Sequence, residues 1–220
     1  MAWDTARTKQ RLLDAAVFEY SEHGPLGARV DRVAERAGVN KQRIYQYFGS
    51  KQLLFSAVLE QEMTKLAAAV PLTVEQARDL GAFAAQVYDY HRNYPHYLRL
   101  LLWEGLDPDP LQSGKATVAA AQERSQHYAD NVRAVAQAQE DGYLRTDVAP
   151  AHLLYVARAL AAWWLAVPSA IALMLGDLRV DDAEERRRVL IKLVNTATAN
   201  PSRDHFDGAV TATSGRRSPG

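Results

Sequence analysis

Apolar residues recur every three or four positions along nearly the whole chain of 220 residues, and runs of alternating β-branched residues are almost absent. The first pattern places apolar side chains on one face of an α-helix, whereas the second would have indicated half-buried strands. Because only helices joined by turns satisfy this spacing, we predict an all-α fold.

Capping and turn residues divide this pattern into about nine helices. Gly38 occupies a position where a helix end needs left-handed backbone, and Asn40 and Thr73 are favourable N-caps. Asp107 and Asp109 each precede a proline and predict a loop, because a residue before proline avoids the α region. In chain order, predicted helices 1 to 9 cover residues 5–22, 29–37, 41–47, 51–69, 74–93, 96–104, 113–141, 150–175 with a kink at Pro168, and 181–200.

Charge is spread unevenly along a chain whose formal net charge is zero. Residues 1–51 carry nine Lys and Arg against six Asp and Glu, whereas residues 52–200 carry 14 against 18. A basic N-terminal segment on an acidic body favours contact with a polyanion. Residues 201–220 contain little apolar surface, and we predict a disordered tail there.

Composition disfavours several classes of site and location. The chain has no cysteine, which excludes disulfides, Cys-ligated zinc and a thiol nucleophile. Its N-terminus lacks the apolar core of a secretory signal. Residues 159–175 carry no charge, but this run is shorter than the ~20 residues of a membrane span, so we predict a helix buried in a core or an oligomer interface. We expect a cytoplasmic protein without a membrane partner.

Residues 29–48, RVDRVAERAGVNKQRIYQYF, have the pattern of a helix-turn-helix. Gly38 supplies the short turn that joins the two helices, and small apolar residues such as Val33, Ala34 and Ile44 suit the corner between them. Lys and Arg can pair with guanine and Gln with adenine, as in helices that enter the major groove. Taken alone, such a polar face is also typical of a solvated helix. The outward candidates are Lys41, Gln42, Arg43, Tyr45 and Gln46.

Residues 11–59, with AERAGVNKQRIYQYFGSKQLLFSAVL at their centre, are most distinctive at 34–39 and in Ile44-Tyr45-x-Tyr47-Phe48-x-Ser50-Lys51. In these features the segment resembles the DNA-binding domain of the TetR family of transcriptional regulators. The resemblance implies a three-helix DNA-binding domain at 1–50. It also implies a larger helical ligand-binding and dimerisation domain at 51–200.

The resemblance implies roles for individual residues as well. Tyr45 and Tyr47 would donate hydroxyls to DNA phosphates, although both could instead be half-buried aromatics, and Lys51 would bind a phosphate at the start of predicted helix 4. Lys41, Gln42 and Arg43 would occupy the variable base-reading positions. The family usually has Thr or Ser at position 29, which caps the helix and touches phosphate; Arg29 loses this cap, but its guanidinium can still reach phosphate.

Residues 70–200 contain no recognisable catalytic or phosphate-binding motif, so we expect no enzyme activity and no cofactor. His91, His96 and Glu104 lack a regular metal-ligand spacing, and we expect no metal site. Predicted helices 5 to 8, which surround an inducer pocket in the TetR family, carry many aromatics, with core packing as the alternative role for each. The candidates for lining a largely apolar ligand are Tyr88, His91, Tyr97, Trp103, Tyr128 and Trp163.

Predicted helices 8 and 9 are the candidates for a homodimer interface, because predicted helix 8 is apolar around its circumference. We therefore predict a ligand-responsive repressor that binds a pseudo-palindromic operator in double-stranded DNA and a small-molecule inducer. The alternatives are an all-helical small-molecule-binding enzyme and a helical adaptor that binds protein through predicted helix 3.

Overall fold

A computed structural model describes residues 2–106, 118–175 and 182–202, and within them the chain forms eleven α-helices and no β-strand. The all-α prediction is therefore confirmed. The predicted loop at 107–110 and residues 203–220 of the predicted tail lie outside the described residues. The helices are α1 (Ala2–Gly27), α2 (Val30–Ala37), α3 (Gln42–Phe48), α4 (Lys51–Ala69), α5 (Val74–Ala77), α6 (Leu80–Asn93), α7 (Pro95–Gly105), α8 (Val118–Glu140), α9 (Pro150–Ala166), α10 (Pro168–Leu175) and α11 (Ala183–Thr198).

Two of the nine predicted helices are divided in the structure, which accounts for the difference in number. The unbroken helix predicted over 74–93 is wrong, because Asp79 Oδ1 accepts the Ala82 N–H at 2.8 Å and so begins α6 after a break. Thr73 caps α5 as predicted, in a reciprocal pair of bonds with Gln76. The helix predicted over 150–175 divides at Pro168, and the axes of α9 and α10 differ by 88°.

The chain divides into two compact units. The first comprises Met1–Ala69, Asp89–His127 and Leu165–Pro168, and the second comprises Val70–Tyr88, Tyr128–Trp164 and Ser169–Gly220. In the first unit, side chains from α1, α3 and α4 are completely removed from solvent in one core, among them Leu12, Ile44 and Leu54. Each such aliphatic side chain contributes about 1.5–3 kcal/mol through burial. This core therefore holds α3 against α1 and α4.

The second unit has a core of its own. Leu80 and Phe83 of α6 are buried there, as are Leu153 of α9 and Leu190 of α11. The Gly81 N–H donates to Oδ1 of Asn195 at 2.8 Å, so α6 and α11 approach closely at a residue without a side chain. This contact fixes the register between the two helices.

Most of the long apolar run is not buried within the single chain, although Ala161 of α9 is. α10 contains no buried residue, and Leu173 and Met174 are 85% and 69% exposed. The expectation of a core helix is therefore wrong for this part of the run, and an interface between copies stays a prediction. Among the described residues no single helix has the length and apolarity of a membrane span, and α9 with α10 meets that test only as a bent pair.

Candidate nucleic-acid interface

The turn between α2 and α3 is built around Gly38. Its φ of 64° and ψ of 39° are left-handed, and its N–H donates to the Glu35 carbonyl at 3.0 Å. The Val39 N–H donates to the Ala34 carbonyl at 3.0 Å, which completes the helix end. A Cβ at position 38 would also lie 2.7 Å from Nη2 of Arg11. Backbone conformation and space both favour glycine here, as the sequence predicts.

Burial of one face of α3 determines which side chains the other face presents. Ile44 and Phe48 are buried in the same core as Val33 and Ala34 of α2. The remaining side chains of the helix therefore point away from the core, except Tyr47, which packs against it. Lys41, Gln42, Arg43, Tyr45 and Gln46 are exposed, and Tyr47 is half-buried.

The start of α3 is capped as predicted, since Oδ1 of Asn40 accepts the Gln42 N–H at 2.9 Å. Further along, Nη1 of Arg43 lies 3.2 Å from the Tyr47 hydroxyl and 3.5 Å from Oε1 of Gln46. These partners are neutral, so the guanidinium keeps its full charge. The ammonium of Lys41 lies 2.9 Å from Oδ1 of Asp31 on α2.

The start of α2 confirms the lost cap at position 29 and shows a different contact that holds the chain there. Arg29 has extended backbone and its side chain makes no capping bond. Instead Glu19 of α1, only 3% exposed, accepts the Arg29 N–H and the Nε–H of Arg32, each at 2.8 Å. Burial opposes ionisation of this carboxyl, but the hydrogen bonds from Arg32 and Arg29 outweigh it and hold the pKa of Glu19 below its usual range.

Sequence reasoning missed Glu19. The available signal was a carboxylate between two aromatics, Phe18 and Tyr20, on a predicted amphipathic helix. A carboxylate in such a position is buried only when it has partners.

Lys51 lies at the N-terminus of α4, where the helix dipole favours an anion. Its Nζ donates to the Leu26 carbonyl at 3.1 Å, and its own carbonyl accepts the Tyr20 hydroxyl at 2.7 Å. The Leu26 side chain is 98% exposed. Ser50 caps the helix, as its Oγ accepts the Leu53 N–H at 3.1 Å. The backbone at Lys51 is thus fixed, while its ammonium has a neutral partner.

The six residues predicted to line a ligand site lie in different surroundings. Tyr88, His91 and Tyr97 are buried, and the rings of His91 and Tyr97 stack with centroids 5.7 Å apart. The Arg158 guanidinium lies over the Tyr128 ring at 5.4 Å. Trp163 is 54% exposed in the single chain. Their assignment to one ligand site stays a prediction.

Trp103, the sixth of these residues, is in contact with α1. Its Nε1–H donates to the Ser21 carbonyl at 3.3 Å, and a Cβ at Gly24 would lie only 2.8 Å from its ring atoms. The described contacts of the indole therefore join α7 to the end of α1.

A buried carboxylate that the sequence did not single out lies on α4. Glu62 is 1% exposed, with Oε2 2.9 Å from Nε2 of His96 and Oε1 2.6 Å from Nζ of Lys65. Across the residues for which side chains are described, no group of three His, Asp or Glu is arranged to hold a metal ion. His96 thus has an acidic partner on α4 rather than the neighbours a metal site requires.

Comparison with known proteins gives consistent matches over both parts of the chain. The family described as "Bacterial regulatory proteins, tetR family" matches residues 12–58, and "Tetracyclin repressor-like, C-terminal domain" matches residues 79–195. The chain is 42% identical over 176 residues to the HTH-type transcriptional repressor SCO4008 of Streptomyces coelicolor, covering 80% of this chain and 87% of that protein. It is 35% identical over 107 residues to the HTH-type transcriptional repressor NicS of Pseudomonas putida, covering 46% and 49% of the two chains.

Solved structures show the same fold. The crystal structure of SCO4942 from Streptomyces coelicolor matches with a TM-score of 0.72 and 30% identity, covering 88% of this chain and 99% of that chain. The regulator FadR from Bacillus subtilis, solved with stearoyl-CoA, matches with a TM-score of 0.59 over 84% of this chain and 96% of its own. At 13% identity this second match shows the fold alone.

Proposed function

The chain belongs to the TetR family of bacterial regulatory proteins, and from this premise we propose that it is a ligand-responsive repressor that binds a pseudo-palindromic operator as a homodimer. Members of this family are DNA-binding transcriptional regulators and not enzymes. The observation that carries the proposal is the α2–α3 corner, in which burial of Ile44 and Phe48 directs the polar face of α3 outward. The cytoplasm, where bacterial DNA lies, is the proposed location.

We divide the contacts to bases and to phosphates among the eight candidate residues, of which Tyr47 and Lys51 are half-buried and the others exposed. Lys41, Gln42, Arg43 and Gln46 present the donors and acceptors that read base edges in a major groove. Arg29, Tyr45, Tyr47 and Lys51 are the proposed phosphate contacts, which fix register without carrying sequence information. Two copies related by a two-fold axis would read two half-sites about one helical turn apart.

We assign DNA binding to residues 1–50 and ligand binding with dimerisation to residues 51–200. Apolar side chains on α9, α10 and α11 support an interface between copies, since Tyr155 is 68% exposed, Leu173 85% and Leu193 50%. The proposed inducer is a small, largely apolar molecule near the predicted aromatic residues. The inducer would bind better to a dimer conformation in which the spacing of the two DNA-binding domains does not match the half-sites. It would thereby shift the population away from the operator-binding state.

A salt titration of operator binding tests the phosphate contacts. An operator is first selected from randomised DNA, and gel-shift affinities are then measured between 50 and 200 mM salt. Lys51→Ala is expected to weaken binding to all sequences alike and to lower the salt slope by about 0.9, since one phosphate contact is lost. Lys192→Ala on α11 removes the same charge from an exposed position and serves as the control. Equal slopes for Lys51→Ala and wild type would contradict the assigned contact.

The same selection tests the base contacts. Gln42→Ala or Arg43→Ala is expected to cost about 1–3 kcal/mol at particular base pairs and to relax the preference at one symmetric pair of positions. Unchanged preference in both variants would show that α3 reads the groove in a different register. An adaptor that binds protein through this face would show no selected sequence at all.

A further inference from the structure

One base-reading candidate is held by a carboxylate from the neighbouring helix. Nζ of Lys41 lies 2.9 Å from Oδ1 and 3.1 Å from Oδ2 of Asp31, so the ammonium faces both oxygens. Asp31 stands in the first turn of α2, and Lys41 directly precedes α3. Both side chains are solvent-accessible, at 70% and 44% exposure. The hydrogen bond to Asp31 raises the pKa of Lys41, so the ammonium stays charged.

Lys41 differs in this respect from the other cations proposed to face DNA. Arg43 has the neutral partners Tyr47 and Gln46, and Lys51 has the Leu26 carbonyl. Among the described residues, no carboxylate lies within 4.0 Å of the charged groups of these two residues or of Arg29, whereas Lys41 has one. Among the described residues, three of these cations thus lack a carboxylate partner, whereas the charge of Lys41 is already balanced.

The contribution of this ion pair to the stability of the fold is too small to explain its presence. Exposed ion pairs contribute little to stability, because solvent screens them and two long side chains must be ordered. Two effects on DNA binding offer a further reason. A carboxylate at the edge of the interface repels phosphates in every register, which lowers non-specific affinity. An ammonium tethered at two oxygens also has a defined position from which its free N–H can reach a guanine O6 or N7.

We propose that Asp31 is a specificity-determining positioning residue, which holds the Lys41 ammonium for a guanine edge and keeps it from acting as a phosphate contact. The inference rests on the proposed function, since it concerns how the same face of α3 selects its operator. It adds a residue on α2 to the set that determines sequence preference.

The test compares Asp31→Asn with Glu35→Gln. Glu35 is exposed on the same helix, one turn further on, and has no ion pair in the described structure, so its variant makes the same change of charge without touching Lys41. Both variants are expected to bind random DNA more tightly, because each removes one negative charge, and Asp31→Asn is expected to do so more strongly, because it also frees Lys41 to contact a phosphate. Asp31→Asn alone is expected to steepen the salt slope by about 0.9, as Lys41 gains a phosphate, and to lower guanine preference at one symmetric pair of positions about tenfold.

A Lys41→Met background shows whether Asp31 acts through Lys41. In that background Asp31→Asn is expected to leave both the guanine preference and the salt slope unchanged. Equal selection profiles for Asp31→Asn and Glu35→Gln would overturn the inference, as would a loss of preference that persists with Met at position 41. If the wild-type chain selects no sequence, the proposed function fails together with this inference. If the wild-type chain selects an operator and Asp31→Asn does not change the selected sequence, the inference fails and the proposed function stands.

Discussion

At the scale of single residues, the buried carboxylate of Glu62 determines how the fold responds to acid. Burial alone would raise the pKa of this group, but hydrogen bonds from His96 and Lys65 outweigh it and lower the pKa to about 2. The ordinary value in an unfolded chain is 4.5. A group whose pKa is lower in the folded state stabilises the fold above its unfolded pKa, and this stabilisation is lost as pH falls toward the folded pKa.

We therefore expect the free energy of unfolding to fall between about pH 5 and pH 2, with Glu62 contributing on the order of 3 kcal/mol. Glu62→Gln is expected to flatten this dependence while lowering stability at pH 7, because Lys65 and His96 lose their acidic partner. Urea denaturation at several pH values measures both effects. Glu140→Gln, at an exposed position at the end of α8, is the control, and a slope identical in the two variants would contradict the assignment.

Residues whose roles depend on near neighbours in the chain were predictable from the sequence. Gly38 and Asn40 act on backbone groups within five positions, and their types alone indicate turn and cap. Glu19 and Glu62 could not be assigned, because Arg29 lies 10 positions from Glu19 and His96 lies 34 positions from Glu62. Only the packing of α1 against α2, or of α4 against α7, brings these pairs together. The same limit applies to Asp31 and Lys41, which are 10 positions apart.

At the scale of elements, α1 is kinked at Gly24, where α7 packs against it. Gly24 has φ 66° and ψ 173°, a region populated almost only by glycine. The Trp103 indole covers this residue, and Arg99 of α7 forms an ion pair with Glu22 beside it. The Gly24 carbonyl accepts the Ala28 N–H at 3.0 Å, so the same residue leads the chain into α2.

Gly24→Ala is therefore expected to destabilise the protein more than Gly142→Ala does. Gly142 also has a positive φ, 77°, but no atom lies within 4 Å of its missing Cβ, so its variant measures backbone strain alone, about 1–3 kcal/mol. At Gly24 a clash with Trp103 is added, and the path into α2 is disturbed.

Denaturation and operator affinity are both measured. Operator binding is expected to weaken only in Gly24→Ala, and Trp103→Leu is expected to recover part of the lost stability. Equal losses of stability in the two alanine variants would contradict the prediction, since the Trp103 indole would then move aside without cost.

Element boundaries were predicted well wherever a single residue type decides them. Gly49 and Pro95 fall at helix ends in the structure as the sequence indicates, and the predicted kink at Pro168 is a full break between α9 and α10. The break between α5 and α6 was missed, because Asp79 caps a helix only if the chain turns there, and nothing in its neighbours forces that turn. Local apolar spacing continues across the break and therefore predicted one helix.

At the scale of the whole molecule, the exposed apolar side chains of α9 and α11 predict the oligomeric state. Tyr155→Arg or Leu193→Arg is expected to weaken a dimer at least tenfold, because each would place an unpaired charge in a buried apolar contact. Leu106→Arg is the control, as Leu106 is 71% exposed at the end of α7. Sedimentation velocity measures assembly, and binding to a full operator against a single half-site measures its consequence. A wild-type chain that stays monomeric at all concentrations would contradict the dimer and the palindrome alike.

The hydrogen bond from position 29 to Glu19 bears on how this protein can change over evolution. Glu19 binds a backbone N–H, which every residue except proline provides, so this contact does not depend on the side chain at position 29. The side chain at position 29 can therefore change, and with it the groups that this residue contacts, without loss of the bond to Glu19. Position 19, by contrast, must keep a carboxylate. Saturation mutagenesis scored on folding is expected to show this asymmetry, with broad tolerance at position 29 and almost none at position 19.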